Sequence, residues 1–287
     1  MVHTDKAVGE YINQHYISVK INGDSLKGKQ LREQYKYPGY PTTILMTPDG
    51  EEIDRIVGFG GNKDEYFQVL KDYTEGRGTL GDYLKKLEST PDDLDANYAV
   101  MGKYEDRNDF PEMQKYARII LRLDPENLKG KKTEMLYYLA YCDYKISGDI
   151  KPIRDFIGKC GDERWIEQAY NNVIRFYSKK QDQPQVLATY ESALDKLPQS
   201  AGLMNGYAWY IFENKVTSKY DRGIQFARKA VELEPDADYI WDTLGQLLFA
   251  AGRVDEAIKT MQKAAELNPK EKSYQENVAR YKEAPRN

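Results

Sequence analysis

The spacing of hydrophobic and polar positions changes its period near residue 94. Before that point, short apolar runs at residues 17–22 and 42–47 alternate with polar stretches in which apolar residues keep a helical spacing. Beyond it, apolar residues recur three and four positions apart almost to the carboxyl end, which is the period of amphipathic helices. The pattern therefore predicts an α/β segment followed by an all-helical segment.

The first 77 residues predict the order helix, strand, helix, strand, strand, helix. The run ISVKIN, residues 17–22, is rich in β-branched residues and ends at an Asn-Gly turn signal. A second run, TTILMT, follows Pro41 and leads through Pro48-Asp49-Gly50 into EEIDRIVG, which predicts a β-hairpin. Asn62 is placed to cap a final helix, KDEYFQVLKDY.

This order resembles the carboxyl-terminal three quarters of a thioredoxin domain. The most specific match is Tyr40-Pro41-Thr42, at the position where that family carries a cis-proline before its third core strand. An X-Pro bond adopts the cis form at a cost of only about 0.5–1 kcal/mol. The resemblance implies that Tyr40, Pro41 and Thr42 form a loop facing an extended peptide, whereas an ordinary X-Pro turn before an edge strand is the alternative.

The chain departs from that family in the segment that carries its chemistry. Thioredoxin activity needs a low-pKa cysteine in a Cys-x-x-Cys pair, but Cys142 and Cys160 are the two cysteines of the chain and both lie outside residues 1–77. The family's central first strand, between the strands matching ISVKIN and TTILMT, has no counterpart either. Its loss would leave two unpaired strand edges, so we expect an amino-terminally truncated version of a longer protein. A genuine short variant is the alternative.

Beyond residue 94 the sequence resembles tetratricopeptide repeats. The clearest unit, 238–271, carries Trp241, Leu244, Gly245, Leu248 and Ala257 in the 34-residue pattern of that family. Weaker copies at 201–237, 167–200, 134–166 and 94–127 make five predicted repeats, with an insertion at 128–133. Residues 78–93 predict a linker helix, and residues 272–287 a capping helix and tail. The predicted fold is therefore a partial thioredoxin-like α/β domain followed by an all-α solenoid.

The repeat resemblance implies a concave groove, lined by the first helix of each pair, that binds protein or peptide segments. The repeat register places seven candidate residues there: Tyr98, Asn171, Arg175, Asn205, Trp209, Asp242 and Gln246. Asn and Arg side chains are suited to hold an extended backbone, and Trp209 to anchor an apolar side chain. A wetted, unused surface is the alternative.

Composition and charge exclude several other classes. The 42 basic and 46 acidic residues give a net charge of −4 and no basic patch for nucleic acid. No apolar run reaches the roughly 18 residues of a membrane span. His3 and His15 have no Cys or His neighbour at ligand spacing, so we predict no metal and no cofactor. Cys160 is expected to be buried where the helices cross, and Cys142 to face the concave side, both unpaired.

Two functions follow from these patterns. The first is a non-catalytic protein-binding module, because the catalytic groups of the thioredoxin family are absent from the chain. The alternative is a thiol-disulfide oxidoreductase whose Cys-x-x-Cys lies upstream of Met1 and whose repeats recruit substrates, which would give it a role in cell redox homeostasis. The composite resembles bacterial thioredoxin-family proteins with repeat tails. The compartment stays open: exported or periplasmic with an upstream signal peptide, otherwise cytoplasmic.

Overall fold

The structure is a computed structural model that describes residues 5–284. The chain divides into two compact units, Met1–Pro152 and Ile153–Asn287. The elements of the first unit are α1 Lys6–His15, α2 Leu26–Tyr35, β1 Thr42–Met46, β2 Glu52–Val57, α3 Lys63–Thr74, α4 Leu80–Ser89, α5 Leu94–Glu105, α6 Phe110–Leu123 and α7 Lys132–Ser147. Helix α8, Lys151–Lys159, contains the boundary between the two units.

The second unit is helical throughout its described residues. Its elements are α9 Glu163–Lys179, α10 Gln183–Lys196, α11 Ala201–Glu213, a short 3-10 helix Thr217–Lys219, α12 Tyr220–Leu233, α13 Asp238–Ala250, α14 Val254–Leu267 and α15 Lys272–Glu283. Consecutive helices contact one another from α9 to α15, and α11 also contacts α13. This arrangement is an all-helical repeat solenoid of the tetratricopeptide type.

The close approach of these helices depends on small residues. At Gly245 on α13, an added Cβ would lie 3.1 Å from Met261 Cε on α14. Leu244, Leu248, Ala257 and Met261 are all buried in this helix pair.

The predicted hairpin is present in the first unit. Strands β1 and β2 pair antiparallel, with Thr42 opposite Val57 and a register irregularity between Leu45 and Met46. In the connecting turn, the Gly50 N–H donates to the Thr47 carbonyl at 3.0 Å, and Gly50 has a φ of 86°. A glycine is favoured there because it adopts positive φ without a Cβ clash.

The strand predicted at residues 17–22 is wrong. That run forms neither helix nor strand, and Ile17, Val19 and Ile21 are 96%, 75% and 44% exposed. A β-rich run becomes a strand only when another strand pairs with it, and in the described residues β1 and β2 pair only with each other. A thioredoxin-like α/β sheet is therefore not evident in residues 5–284, which hold one two-stranded sheet.

A small apolar cluster joins the elements around the hairpin. Val8 on α1 and Tyr66 on α3 are buried together, and Ile12, Ile56 and Phe67 pack against them. The Asp5 carboxylate caps α1 by accepting from the Ala7 and Val8 N–H groups.

Helix α4 packs on the helices that follow it. Its Leu80, Leu84 and Leu87 side chains contact the core formed by α5, α6 and α7, in which Val100 and Met113 are buried. The segment predicted as a linker thus contributes apolar surface to the helical core of the first unit.

Candidate peptide-binding site

Six of the seven predicted groove residues lie on three helices of the second unit. Asn171 and Arg175 are on α9, Asn205 and Trp209 on α11, and Asp242 and Gln246 on α13. The two members of each pair are four residues apart, so they share one face of their helix. Arg175 is exposed and the other five are half-buried.

The three helices that carry these pairs are neighbours. Helix α11 contacts α13. Glu167 on α9 lies beside Gly202 on α11, where an added Cβ would be 3.4 Å from its Oε1. We call the surface formed by Asn171, Arg175, Asn205, Trp209, Asp242 and Gln246 the α9–α11–α13 face.

One polar atom of this face lacks a partner. The Oδ1 atom of Asn205 is buried and accepts no hydrogen bond from the described residues. A buried acceptor left in this way costs about 1–3 kcal/mol. Because neighbouring atoms cover this Oδ1, a donor from outside the chain reaches it only after the side chain or its neighbours move.

The carboxylate on α13 is held in an environment that disfavours its charge. Burial raises the pKa of Asp242, and the negative charges of Asp238 and Glu271 raise it further. The Gln246 amide opposes this by donating to both carboxylate oxygens, at 3.0 and 2.9 Å. Asp242 and Gln246 thus form one hydrogen-bonded pair that presents polar atoms on the face.

Trp209 supplies the apolar part of the face. Its ring lies 5.5 Å from that of Phe212, also on α11, and both residues are half-buried. A half-buried tryptophan beside a second aromatic ring is the kind of anchor that contributes most to protein interfaces.

The seventh predicted groove residue, Tyr98, belongs to α5 in the first unit. Its hydroxyl donates to Glu134 Oε1 at 2.6 Å and lies 2.9 Å from Lys131 Nζ. The Lys131 ammonium also stands 4.1 Å from the Tyr98 ring centre. This side chain is already engaged in an ionic cluster with its own neighbours.

The predicted loop Tyr40-Pro41-Thr42 leads into β1. The Tyr40–Pro41 peptide bond is cis. The Pro41 carbonyl accepts from the Gly58 N–H at 2.7 Å, and the Thr42 hydroxyl donates to the Gly39 carbonyl at 2.7 Å. Tyr40 is exposed, with its ring 5.7 Å from that of Tyr37.

Both cysteines are free, but their burial is the reverse of what the sequence predicted. Cys142 is fully buried in the core of the first unit rather than facing a groove, and burial raises its pKa to about 12. Cys160 is half-buried because α8 ends at Lys159, one residue before it, so it does not reach a helix crossing. Its Sγ lies 3.6 Å from the Asp162 carbonyl oxygen.

A buried ionic network around Asp54 was not predicted from the sequence. The Asp54 carboxylate on β2, 0% exposed, lies 2.7 Å from Lys103 Nζ and 2.9 Å from the Arg107 guanidinium. It also accepts from the backbone N–H groups of Arg55 and Leu80, each at 2.8 Å. The available signal was the pair of adjacent charges, Asp54-Arg55, inside a predicted strand, but their partners lie about fifty positions further along the chain.

Metal and membrane signals are weak in the described part of the chain. Within residues 5–284, no group of three or more His, Cys, Asp or Glu side chains is placed to hold a metal ion, and His3 lies outside that range. No helix in this range combines the length and the apolar character that crossing a bilayer demands.

Comparison with known proteins adds one sequence match. Residues 218–281, which span α12 to α14 and most of α15, match the family described as Tetratricopeptide repeat. No curated protein matches the chain in sequence.

Several solved structures are similar to the chain at low identity. Yeast Tom70 is 16% identical over 71% of this chain and 42% of its own, with a TM-score of 0.49. A tetratricopeptide repeat protein from Parabacteroides merdae is 14% identical over 66% of this chain and 72% of its own, with a TM-score of 0.46. YrrB, described as a TPR protein with an unusual peptide-binding site, is 12% identical over 70% of this chain and 98% of its own, with a TM-score of 0.42.

The second unit is an all-helical repeat structure built of consecutive contacting helices. Within that unit, residues 218–281 match the tetratricopeptide-repeat family in sequence.

Proposed function

We propose that the protein binds extended protein or peptide segments on the α9–α11–α13 face, without catalysis. The observation that carries this proposal is the half-buried Trp209 on α11, whose ring lies 5.5 Å from that of Phe212. The Trp209 ring packs against a ligand side chain. Asn205, one helical turn earlier on α11, is half-buried and pairs with the ligand backbone once its buried Oδ1 is turned outward.

The neighbouring polar groups suit the same ligand. Asp242 and Gln246 offer an acceptor and a donor on α13, and Arg175 offers an exposed cation on α9. An extended peptide carries one donor and one acceptor per residue, so a face with both kinds of group matches it. Tetratricopeptide-repeat proteins typically bind other proteins, which agrees with this assignment.

The experiment is peptide selection followed by affinity measurement. The full chain is used to select binders from a random dodecapeptide library, and the dissociation constants of the best peptides are measured for Asn205→Ala, Trp209→Ala and Gln262→Ala. Gln262 is an exposed amide on α14, outside the face, and provides the matched control. We expect each of the first two substitutions to weaken binding about tenfold or more, and the control to change it less than about twofold.

Stability separates a binding role from a structural one. Asn205→Ala removes an unsatisfied acceptor, so the free energy of unfolding should stay unchanged or rise by about 1 kcal/mol while affinity falls. The proposal fails if no peptide is selected, or if the Gln262→Ala control weakens binding as much as the face substitutions do.

We further propose that residues 1–77 are a partial thioredoxin-like domain, followed by a linker helix at 78–93, repeats at 94–271 and a capping helix and tail at 272–287. The order of Pro41, β1, the turn at Gly50, β2 and α3 supports it, together with the packing of α1 on β2 and α3. A crystal structure of the full chain tests it: an α1 that does not pack against β2 and α3 would contradict the assignment.

The described cysteines do not favour an oxidoreductase. A nucleophilic thiol needs a lowered pKa, and burial of Cys142 shifts its pKa in the opposite direction, to about 12. We therefore keep the binding function as the proposal for this chain.

A further inference from the structure

The first unit contains a cleft where its amino-terminal segment meets the helices that follow. The cleft has a volume of about 340 Å³ and is lined by three cations, Arg32, Lys36 and Lys145, and by the aromatic rings of Tyr37, Phe110 and Tyr141. Ligand pockets hold roughly 300–1,000 Å³, so the space suits a few side chains of a short segment.

The charges around the cleft have a single sign. Arg32, Lys36 and Lys145 are all exposed, and no acidic residue lines the space. Clefts lined by one sign of charge concentrate ligands of the opposite sign. The ligand that this lining recognises is therefore anionic.

The aromatic residues form an ordered part of the lining. The Phe110 and Tyr141 rings lie 5.9 Å apart, edge to face, and Lys145 Nζ stands 5.0 Å from the centre of the Phe110 ring. Tyr37 is buried, and its hydroxyl donates to the Gly28 carbonyl at 3.0 Å. A ligand here meets apolar surface as well as positive charge.

The backbone holds the rim of the cleft in a defined shape. Lys36 ends α2 in the left-handed region, with a φ of 51°, which turns the chain so that Lys36 and Tyr37 border the cleft. The Asn108 amide, from the turn between α5 and α6, donates to the Lys36 carbonyl at 2.6 Å. This bond across the cleft pre-organises the rim before a ligand arrives.

The adjacent helix end does not provide a phosphate cradle. Helix α6 begins at Phe110, but Pro111 has no N–H and the Glu112 N–H is already bonded to the Asp109 carboxylate at 3.3 Å. Phosphate sites at helix ends depend on free backbone N–H groups there. The positive charge of the cleft instead comes from separate side chains beside aromatic rings.

We propose that this cleft binds an acidic peptide segment in which carboxylate side chains flank an aromatic one. The carboxylates pair with Arg32, Lys36 and Lys145, and the aromatic side chain packs against Phe110 and Tyr141. This site belongs to the first unit and is independent of the α9–α11–α13 face.

The test uses a fluorescein-labelled pentapeptide, Asp-Glu-Phe-Asp-Glu, and the full chain. Its dissociation constant is measured by fluorescence anisotropy for the unaltered protein, for the double variant K36E/K145E, and for Lys29→Glu. Lys29 is exposed on the same helix as Arg32 but does not line the cleft, so its reversal changes the net charge without changing the site. Three unlabelled competitors are added: Asn-Gln-Phe-Asn-Gln, Asp-Glu-Gly-Asp-Glu and inorganic phosphate.

We expect K36E/K145E to weaken binding about tenfold or more and Lys29→Glu to weaken it less than about twofold. The amide and glycine peptides should compete at least about fivefold less well than the unlabelled acidic peptide. Equal losses in the two variants, or no binding at all, would overturn the proposal. Competition by phosphate at the same concentration as the peptide would also overturn it, because a simple anion would then suffice. Trp209→Ala should leave this binding unchanged, which separates the result from the proposed face on the second unit.

Discussion

The buried carboxylate of Asp54 gives the sharpest test of the energetics in the first unit. Replacing it by asparagine keeps the size of the side chain and removes its charge. Lys103 and Arg107, whose side chains are 10% and 15% exposed, then lose the carboxylate that lies within 3 Å of both. Two nearly buried cations are left without it.

The size of the destabilisation caused by Asp54→Asn follows from those contacts. Removing one partner of a buried ion pair costs about 3–5 kcal/mol. Part of this loss is offset, because Arg107 also contacts Glu52 at 2.7 Å and Lys103 contacts the Tyr73 hydroxyl. We therefore expect Asp54→Asn to lower the free energy of unfolding by about 3 kcal/mol. For a protein of this size, that corresponds to a fall in Tm of about 6–12 °C.

The pH dependence of this destabilisation shows whether the loss of the Asp54 charge is its cause. Burial alone raises the pKa of Asp54, but the hydrogen bond and charge of Lys103, with the bonds from Arg55 and Arg107, outweigh it and lower the pKa below its ordinary value. A carboxylate with a lowered folded pKa stabilises the protein fully above its unfolded pKa, about 3.9, and loses this contribution as pH falls through the folded value. The difference between Asp54→Asn and the unaltered protein should be constant from about pH 7 to 5 and shrink below about pH 4.

The assay is urea unfolding followed by circular dichroism at several pH values. Asp49→Asn serves as the control, since it is the same change at an exposed position in the turn of the same hairpin. A cost for Asp54→Asn no larger than that of the control at pH 7, or a cost unchanged at pH 3, would refute the reasoning.

Three further predictions concern the cysteines and two glycines. In the native protein at pH 8, a thiol reagent should modify Cys160, which is half-buried, and should reach the fully buried Cys142 only on unfolding, so Cys160→Ala should abolish the fast reaction. A fast phase that persists in that variant would contradict this. Gly252→Ala, at a φ of 78° in the turn after α13, should lower the free energy of unfolding by about 1 kcal/mol. Gly158→Ala, in α8 with no atom within 4 Å of the new Cβ, should leave the free energy of unfolding unchanged or raise it by up to about 1 kcal/mol in the same urea unfolding assay.

Features set by neighbours along the chain were predictable from the sequence. The spacing of Leu244, Leu248 and Ala257 indicated a helix pair in which all three residues are buried. The turn ending at Gly50 located the hairpin, and Asn62 caps α3 by accepting from two backbone N–H groups. Each of these depends on residues within one or two turns of each other, which is the range that a sequence pattern reports.

Features set by distant partners were not predictable. The run at 17–22 has strong β propensity, yet it forms no strand because a strand needs a partner that the pattern alone does not supply. Cys160 was misplaced because α8 ends at Lys159, a boundary that apolar spacing does not fix. In the candidate face, the sequence located Asn205, but the lack of a partner for its Oδ1 depends on every neighbouring side chain.

The ionic network also changes how the first unit should be understood. Asp54 lies on the hairpin, and its partners lie elsewhere. Lys103 is on α5, and Arg107 follows the end of that helix. Asp54 also accepts a hydrogen bond from the N–H of Leu80, the first residue of α4. A buried carboxylate on the hairpin with partners from α4 and from the end of α5 stays satisfied only if all three elements keep their positions. The hairpin segment is therefore fixed to the first predicted repeat by charge as well as by the apolar packing of α4.

Arg55, next to Asp54 on β2, also holds α2 beside the α5–α6 turn. Its guanidinium donates to the carbonyls of Tyr35 and Asp106 at 2.8 and 3.2 Å. The cationic cleft thus borders on backbone that the buried network holds in place, which is the rigidity that a pre-organised binding site requires.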